Sequence, residues 1–150
     1  MNVFVRSRGG PHEVSKAVLR TRAMRMLRGL ERHDAELTIL LVDDEAMREL
    51  NTTWRGKNAT TDVLSFPMGE GEYGDVNPEL LGDVVISVPT AELQARRSKR
   101  TPLEEVTFLL AHGILHLVGY DHGTAAEARE MTKRTKHLMS LGVEGARRRD

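Results

Sequence analysis

His112, His116 and His122 place three imidazoles within eleven consecutive residues, in the run His112-Gly-Ile-Leu-His116-Leu-Val-Gly119-Tyr-Asp-His122. Three neutral imidazoles are enough to hold one zinc ion and leave its fourth position open, the arrangement of a catalytic rather than a structural site. Residues four apart on a helix differ by about 40°, at about 100° per residue, so His112 and His116 share one face. A straight continuation would carry His122 roughly 9 Å farther along the axis and around to another side. The chain must therefore turn between them, and Gly119 is the residue at which a left-handed, helix-ending conformation is unstrained. Core histidines at a chance i,i+4 spacing would account for one pair, but not for a third histidine beyond a glycine break. His12, His33 and His137 have no comparable setting and read as surface or helix-edge residues.

A zinc ion on three histidines lowers the pKa of a bound water to about 7 and polarises carbonyl or phosphoryl oxygens. The reaction class is hydrolysis or a related transfer. His-x3-His-x5-His is the ligand spacing of metzincin peptidases, but those need glutamate directly after the first histidine as general base, and this chain has Gly113. A phosphodiester makes a different demand, neutralisation of an anionic five-coordinate phosphorus centre, which zinc and a nearby arginine can meet. The segment from Leu50 to Pro67 offers that arginine, joining a helix to a strand through a polar loop that carries Arg55 and Lys57. Taken alone, Arg55 reads first as a cation at a helix C-terminus, and Asp62 as an ordinary cap or turn residue.

The elements that must position these residues follow from periodicity. Val3 to Arg6 forms a short first strand. From Glu13 to about Arg32, Val14, Ala17, Val18, Ala23, Met26, Leu27 and Leu30 recur at helical spacing with arginines between them, giving an amphipathic helix with a basic face. Leu37 to Val42 is a buried strand. Asp44 is expected to cap a helix from Glu45 to about Thr53. Val63 to Met68 and Gly82 to Ser87 are further strands, separated by a Gly/Glu/Asp-rich surface excursion over 69–81. Pro89 opens a helix to about Arg97, and Pro102 opens the long histidine-bearing helix. Thr124 caps a last helix to about Leu141. The order β-α-β-α-β-β-α-α-α predicts an α+β fold: a small mixed four-stranded sheet packed with four to five helices. The histidine helix should be central, because Leu109, Leu110, Ile114, Leu115 and Leu117 make it apolar nearly all round.

At 150 residues the chain is expected to be a single domain, 1–150, with a basic C-terminal tail over about 143–150. The absence of cysteine excludes thiolate ligands and thiol catalysis and suits a reducing interior. The start, Met1 to Arg6, has no long apolar core, and no apolar run approaches the roughly 20 residues that cross a bilayer, so a soluble cytoplasmic protein without membrane association is expected. Net charge is zero, yet residues 1–34, 35–93 and 94–150 carry balances of +5, −9 and +4. Such asymmetry permits a basic surface for a polyanion and equally permits solvated helix faces.

Three runs carry a resemblance: Leu50-Asn-x-x-Trp54-Arg55-x-Lys57 with Thr61-Asp62-Val-Leu-Ser-Phe-Pro67, then Gly82-Asp83-Val-Val-Ile-Ser87, then the histidine run ending at His122. They are similar to the three signature blocks of the YbeY family, bacterial metal-dependent endoribonucleases of ribosomal RNA maturation, in the family's order and over nearly the whole chain. The resemblance implies a zinc-dependent, single-strand-specific endoribonuclease acting in 16S ribosomal RNA 3′-end maturation and ribosome quality control. Its partners would be single-stranded ribosomal RNA and the small ribosomal subunit with its assembly factors. It implies one Zn2+ per chain on His112, His116 and His122, and Arg55 as the functional arginine of the cleft.

On this reading Arg55 and His116 are the catalytic assignments. Lys57 either assists substrate binding or is a solvated loop lysine, and Asp121 either orients a ligand or relays a proton, or caps a helix. Asp62 and Ser65 organise loop and strand. Arg96, Arg97, Lys99 and Arg100 are candidate RNA contacts, whereas Arg147, Arg148 and Arg149 read as a solubilising tail. The chain departs from the family at Asn58-Ala59-Thr60-Thr61-Asp62, where Asp-x-Pro-Thr-Asp is usual, and loss of that proline is expected to loosen the loop. Gly123 stands where an acidic residue is common. Two rival classes remain: a non-catalytic, zinc-stabilised ribosome-assembly factor, and a metallopeptidase or amidase weakened by Gly113.

Overall fold

In the computed structural model, residues 1–10, 12–68, 79–120 and 123–144 are described. They form the expected order of elements: β1 (Asn2–Arg8), α1 (Lys16–Gly29), β2 (Glu36–Val42), α2 (Asp44–Arg55), β3 (Val63–Pro67), β4 (Leu80–Ser87), α3 (Val88–Ser98), α4 (Pro102–Leu117) and α5 (Ala125–Glu144). The sheet order is β1-β2-β4-β3. β1, β2 and β4 run parallel, and β3 lies antiparallel on the far edge, with Ser65 opposite Val84. This is the mixed four-stranded α+β architecture that the sequence pattern requires.

Alternation along the strands sorts side chains onto two faces. Leu37, Ile39, Leu41, Val84 and Ile86 enter the larger core with α1, α3, α4 and α5. Leu40, Val42, Val85, Leu64 and Phe66 point the other way, into a smaller core under α2 with Ala46 and Met47. α4 packs against α1, α3, α5, β3 and β4 at once, and Val106, Leu110, Ala111 and Ile114 are fully buried. That enclosure explains a helix apolar nearly all round. Its start is fixed by a capping box in which Thr101 Oγ1 accepts from Glu104 N–H and the Glu104 carboxylate accepts from Thr101 N–H.

Three sequence expectations shift. Asp43, not Asp44, caps α2, its Oδ1 accepting from Ala46 N–H at 2.8 Å. Asp44 is thereby released to accept from the hydroxyls of Ser87, Thr90 and Thr60 at 2.6, 2.7 and 3.2 Å, joining α2 to the β4–α3 junction and to the following loop. Burial acts to raise the Asp44 carboxyl pKa, but these three donors and Arg48 outweigh it and hold the group below its ordinary value. α2 also runs two residues past Thr53, because it ends only where Gly56 turns left-handed at φ 69°. His12 is half-buried in the β1–α1 loop with a buried Nε2 rather than sitting on the surface; His33 and His137 are exposed. The excursion lies outside the described residues over 69–78, and the tail over 145–150.

α4 comes closest to the sheet at Gly113. A Cβ there would stand 2.7 Å from Val84 Cγ1 and 3.2 Å from Ser65 Oγ, and the Ser65 hydroxyl donates to the Gly113 carbonyl at 3.2 Å. Gly113→Ala in a helix interior would ordinarily stabilise by about 1 kcal/mol; here the clash reverses the sign. We expect Gly113→Ala to lower stability, and Val84→Ala to relieve part of that loss, with a coupling of about 0.5–3 kcal/mol in a double-mutant cycle read by chemical denaturation. Strict additivity would refute the close approach. A separate expectation concerns Asp44: its bonds hold through the neutral range and are lost as pH falls below about 4, so Asp44→Asn should flatten the acid limb of the stability profile.

Candidate functional site

The i,i+4 spacing on α4 sets the His112 and His116 rings 4.8 Å apart, centroid to centroid, at 71° to one another. Both are half-buried. Two imidazoles side by side on one helix face suit two adjacent corners of a tetrahedral ion, and neutral nitrogen donors suit zinc. His122 and Asp121 lie outside the described residues. Among the described residues, no group of three His, Cys, Asp or Glu side chains could hold a metal ion.

The chain does turn where expected. α4 ends at Leu117, and Gly119 N–H and Tyr120 N–H return to the carbonyls of His116 and Leu115. Gly119 has φ 106°, a conformation only glycine adopts without strain. Thr124 then caps α5, its hydroxyl accepting from Glu127 N–H at 3.0 Å. Between them the Arg134 guanidinium lies 4.9 Å from the Tyr120 ring centroid. A cleft of about 270 Å³ lined by Leu30, Arg32, Val118, Gly119 and Tyr120 opens beside this turn. Arg32 reaches it from the α1–β2 loop, a proximity that sequence separation conceals.

Arg55, the last residue of α2, is brought to the same helix by two hydrogen bonds. Its Nη2 donates to the Ser65 carbonyl at 2.6 Å, and Ser65 Oγ donates to the carbonyl of Gly113, the residue after His112. Its guanidinium also stands 5.2 Å from the Phe66 centroid. A guanidinium has five N–H donors, so the bond to Ser65 leaves others for a ligand. The loop after Arg55 is tied down without the family's usual proline: the buried Asn51 side-chain amide donates to Ala59 O at 2.8 Å, the Asn51 backbone carbonyl accepts from Lys57 N–H, and the Thr52 hydroxyl donates to Lys57 O. These bonds tie the loop at the place where the family has its proline. A buried asparagine late in an amphipathic helix was the signal for it.

The remaining candidates separate by their bonds. The Lys57 side chain is exposed. Asp62 accepts from Val63 N–H and Gln94, and so organises the start of β3. Arg100 pairs with Glu105 at 3.1 Å and lies over Phe108, so it is engaged internally, whereas Arg96, Arg97 and Lys99 are exposed. The basic face of α1 proves largely structural: Arg20, Arg22 and Arg25 donate to Val3 O, Thr107 Oγ1 and Gly142 O. Arg147, Arg148 and Arg149 lie outside the described residues.

Residues 10–141 match the family model described as Endoribonuclease YbeY. A protein of Anaeromyxobacter sp. (strain Fw109-5) named Endoribonuclease YbeY is 50% identical over 133 residues, 88% of this chain and 68% of its own length. One from Geobacter sulfurreducens with the same name is 38% identical over 143 residues, 94% of this chain and 95% of its own. The solution structure of a Thermotoga maritima protein superposes with a TM-score of 0.66 at 26% identity, over 97% of this chain and 91% of that one. With a family model matching most of its length and relatives at 50% and 38% identity, the chain belongs to the Endoribonuclease YbeY family.

Proposed function

We propose that this single-domain protein is a zinc-dependent endoribonuclease that cuts single-stranded ribosomal RNA, acting in 16S 3′-end maturation and ribosome quality control in the cytoplasm beside the small subunit and its assembly factors. The observation that carries the reading is the linkage Arg55–Ser65–Gly113, which ties a cation suited to a phosphodiester to the helix bearing the histidine pair. The family name of the relatives supports the reaction class. None of the described helices is long and apolar enough to cross a membrane.

His112, His116 and His122 would hold one zinc ion, which when bound supplies Lewis acidity toward phosphoryl oxygen and a nucleophile at neutral pH. The protein's own residues do the rest. Arg55 binds the scissile phosphate and stabilises the negative charge that grows on its oxygens. Ser65 and Phe66 hold the guanidinium in place, so that little ordering remains to be done when substrate arrives. Lys57 would extend the positive charge toward the incoming backbone, and Asp121 would orient a ligand or relay a proton. A peptidase reading is disfavoured by packing, since a glutamate at position 113 would drive into Val84. In a non-catalytic assembly factor, zinc would only pin α4 to α5.

Cleavage of a labelled single-stranded ribosomal RNA fragment by purified wild-type, Arg55→Ala, Arg55→Lys and His116→Ala proteins tests this, with zinc measured on the same preparations. We expect wild type to carry one zinc per chain and Arg55→Ala to keep it while losing about 10²- to 10³-fold in rate. Arg55→Lys should recover only a small part, because a point charge lacks the planar fork. His116→Ala should lose zinc and cleavage together while keeping its helical circular dichroism. Stoichiometric zinc with equal trace cleavage in every preparation would indicate a contaminating nuclease and favour the assembly factor.

A further inference from the structure

Trp54 is two-thirds exposed, at 67%, the most exposed large hydrophobic among the described residues. Core packing therefore does not account for an indole here; a single exposed apolar residue is ordinary by itself, and what distinguishes this one is its surroundings. Its position is specific. Successive residues on a helix diverge by about 100°, yet Trp54 and Arg55 both converge on Phe66, because the last turn of α2 ends over β3. The Trp54 and Phe66 rings meet edge to face at 6.5 Å and 67°, and the Arg55 guanidinium lies over the same phenyl ring at 5.2 Å. Phe66 thus fixes an open indole and a phosphate-seeking cation side by side, with exposed Lys57 just beyond.

We infer that Trp54 is a stacking platform for a nucleobase of the single-stranded substrate, flanking the phosphate held by Arg55. The inference rests on the ribonuclease reading above and deepens it by naming how single strands are selected. A base can reach an exposed indole only when it is unpaired and unstacked, whereas in a duplex its faces are covered by neighbours. The charge beside the ring favours a polyanion over an apolar protein segment. Stacking carries no hydrogen-bond readout, so the platform selects strandedness with little base preference.

Trp54 is the only tryptophan in the sequence, so its fluorescence reports this position alone. Wild-type protein is titrated with a 12-nucleotide single-stranded RNA, with the same strand as a duplex, and with an abasic ribose-phosphate strand of equal length. Binding is followed in parallel by anisotropy of end-labelled RNA. We expect saturable quenching with the single strand and little with the duplex or abasic strand. Trp54→Ala should weaken single-strand binding by about tenfold or more, and Trp54→Phe should restore most of it, with zinc content equal in all three.

Saturated RNA binding without quenching, unchanged affinity in Trp54→Ala, or equal quenching by the abasic strand would each overturn the platform while leaving the ribonuclease reading intact. Quenching that grows with protein concentration alone would assign the indole to a second copy of the chain and also overturn it. Failure of any RNA to bind would sink both readings together.

Discussion

The close approach of α4 to the β3–β4 pair at Gly113 is the constraint on which the rest of the site depends. A helix can lie against a sheet at this distance only where it presents no side chain, and Val84 fills the space that a Cβ would need. The Ser65 hydroxyl then fixes the helix in rotation as well as in height by bonding the Gly113 carbonyl. His112 directly precedes that contact and His116 lies three residues beyond it, so both imidazoles inherit their bearing from a single glycine. An interior glycine weakens a helix by about 1 kcal/mol relative to alanine, and the enclosure of α4 on several sides offsets that cost many times over.

Because β3 is an edge strand, the other half of the site has to be attached from outside the sheet. The last turn of α2 does this, with Arg55 donating to a β3 carbonyl and Phe66 lying beneath the guanidinium. Gly56 ends the helix in the left-handed conformation, and Asn51 and Thr52 hold the chain that follows. Asp44 anchors the opposite end of α2 to Ser87 and Thr90. The helix is therefore bonded at both ends to parts of the sheet, so that Arg55 sits on a rigid element rather than on a free loop. Strand β3 serves both attachments at once, since Ser65 receives Arg55 through its carbonyl and grips α4 through its side chain.

Much of this architecture was legible because its signals are local and periodic. The element order, the mixed sheet, the capping position Thr124 and the turn at Gly119 all follow from residue types within a few positions of where they act. What escaped is non-local. Asp43 and Asp44 are equally good caps on paper, and only Ser87 and Thr90, more than forty residues away, decide which one is free to turn elsewhere. Gly113 was read as a missing glutamate, whereas its physical meaning lies in Val84 on another element. The arginines of α1 looked like a basic face because their carbonyl and hydroxyl partners on β1, α4 and α5 cannot be seen in a helical repeat. Of the candidate site, the histidine pair and Arg55 were visible as residues, but the Ser65 relay that connects them was not.

Where positive charge is consumed bears directly on how a polyanion would be met. The N-terminal segment has a balance of +5, yet Arg20, Arg22 and Arg25 spend their donors on docking α1. The segment holding Arg55 and Lys57 has a balance of −9. On the proposed reading, net charge would therefore point away from Arg55. Within that acidic segment, Asp44 is satisfied by hydroxyl donors, Asp62 by Val63 N–H and Gln94, and Glu49 is paired with Arg8. Arg55 keeps unspent donors and an aromatic neighbour on each side of its position, Trp54 in sequence and Phe66 in space. A site assembled in this way draws affinity from a few oriented groups rather than from a broad basic field, so its binding should depend less steeply on salt than that of a protein making many phosphate contacts.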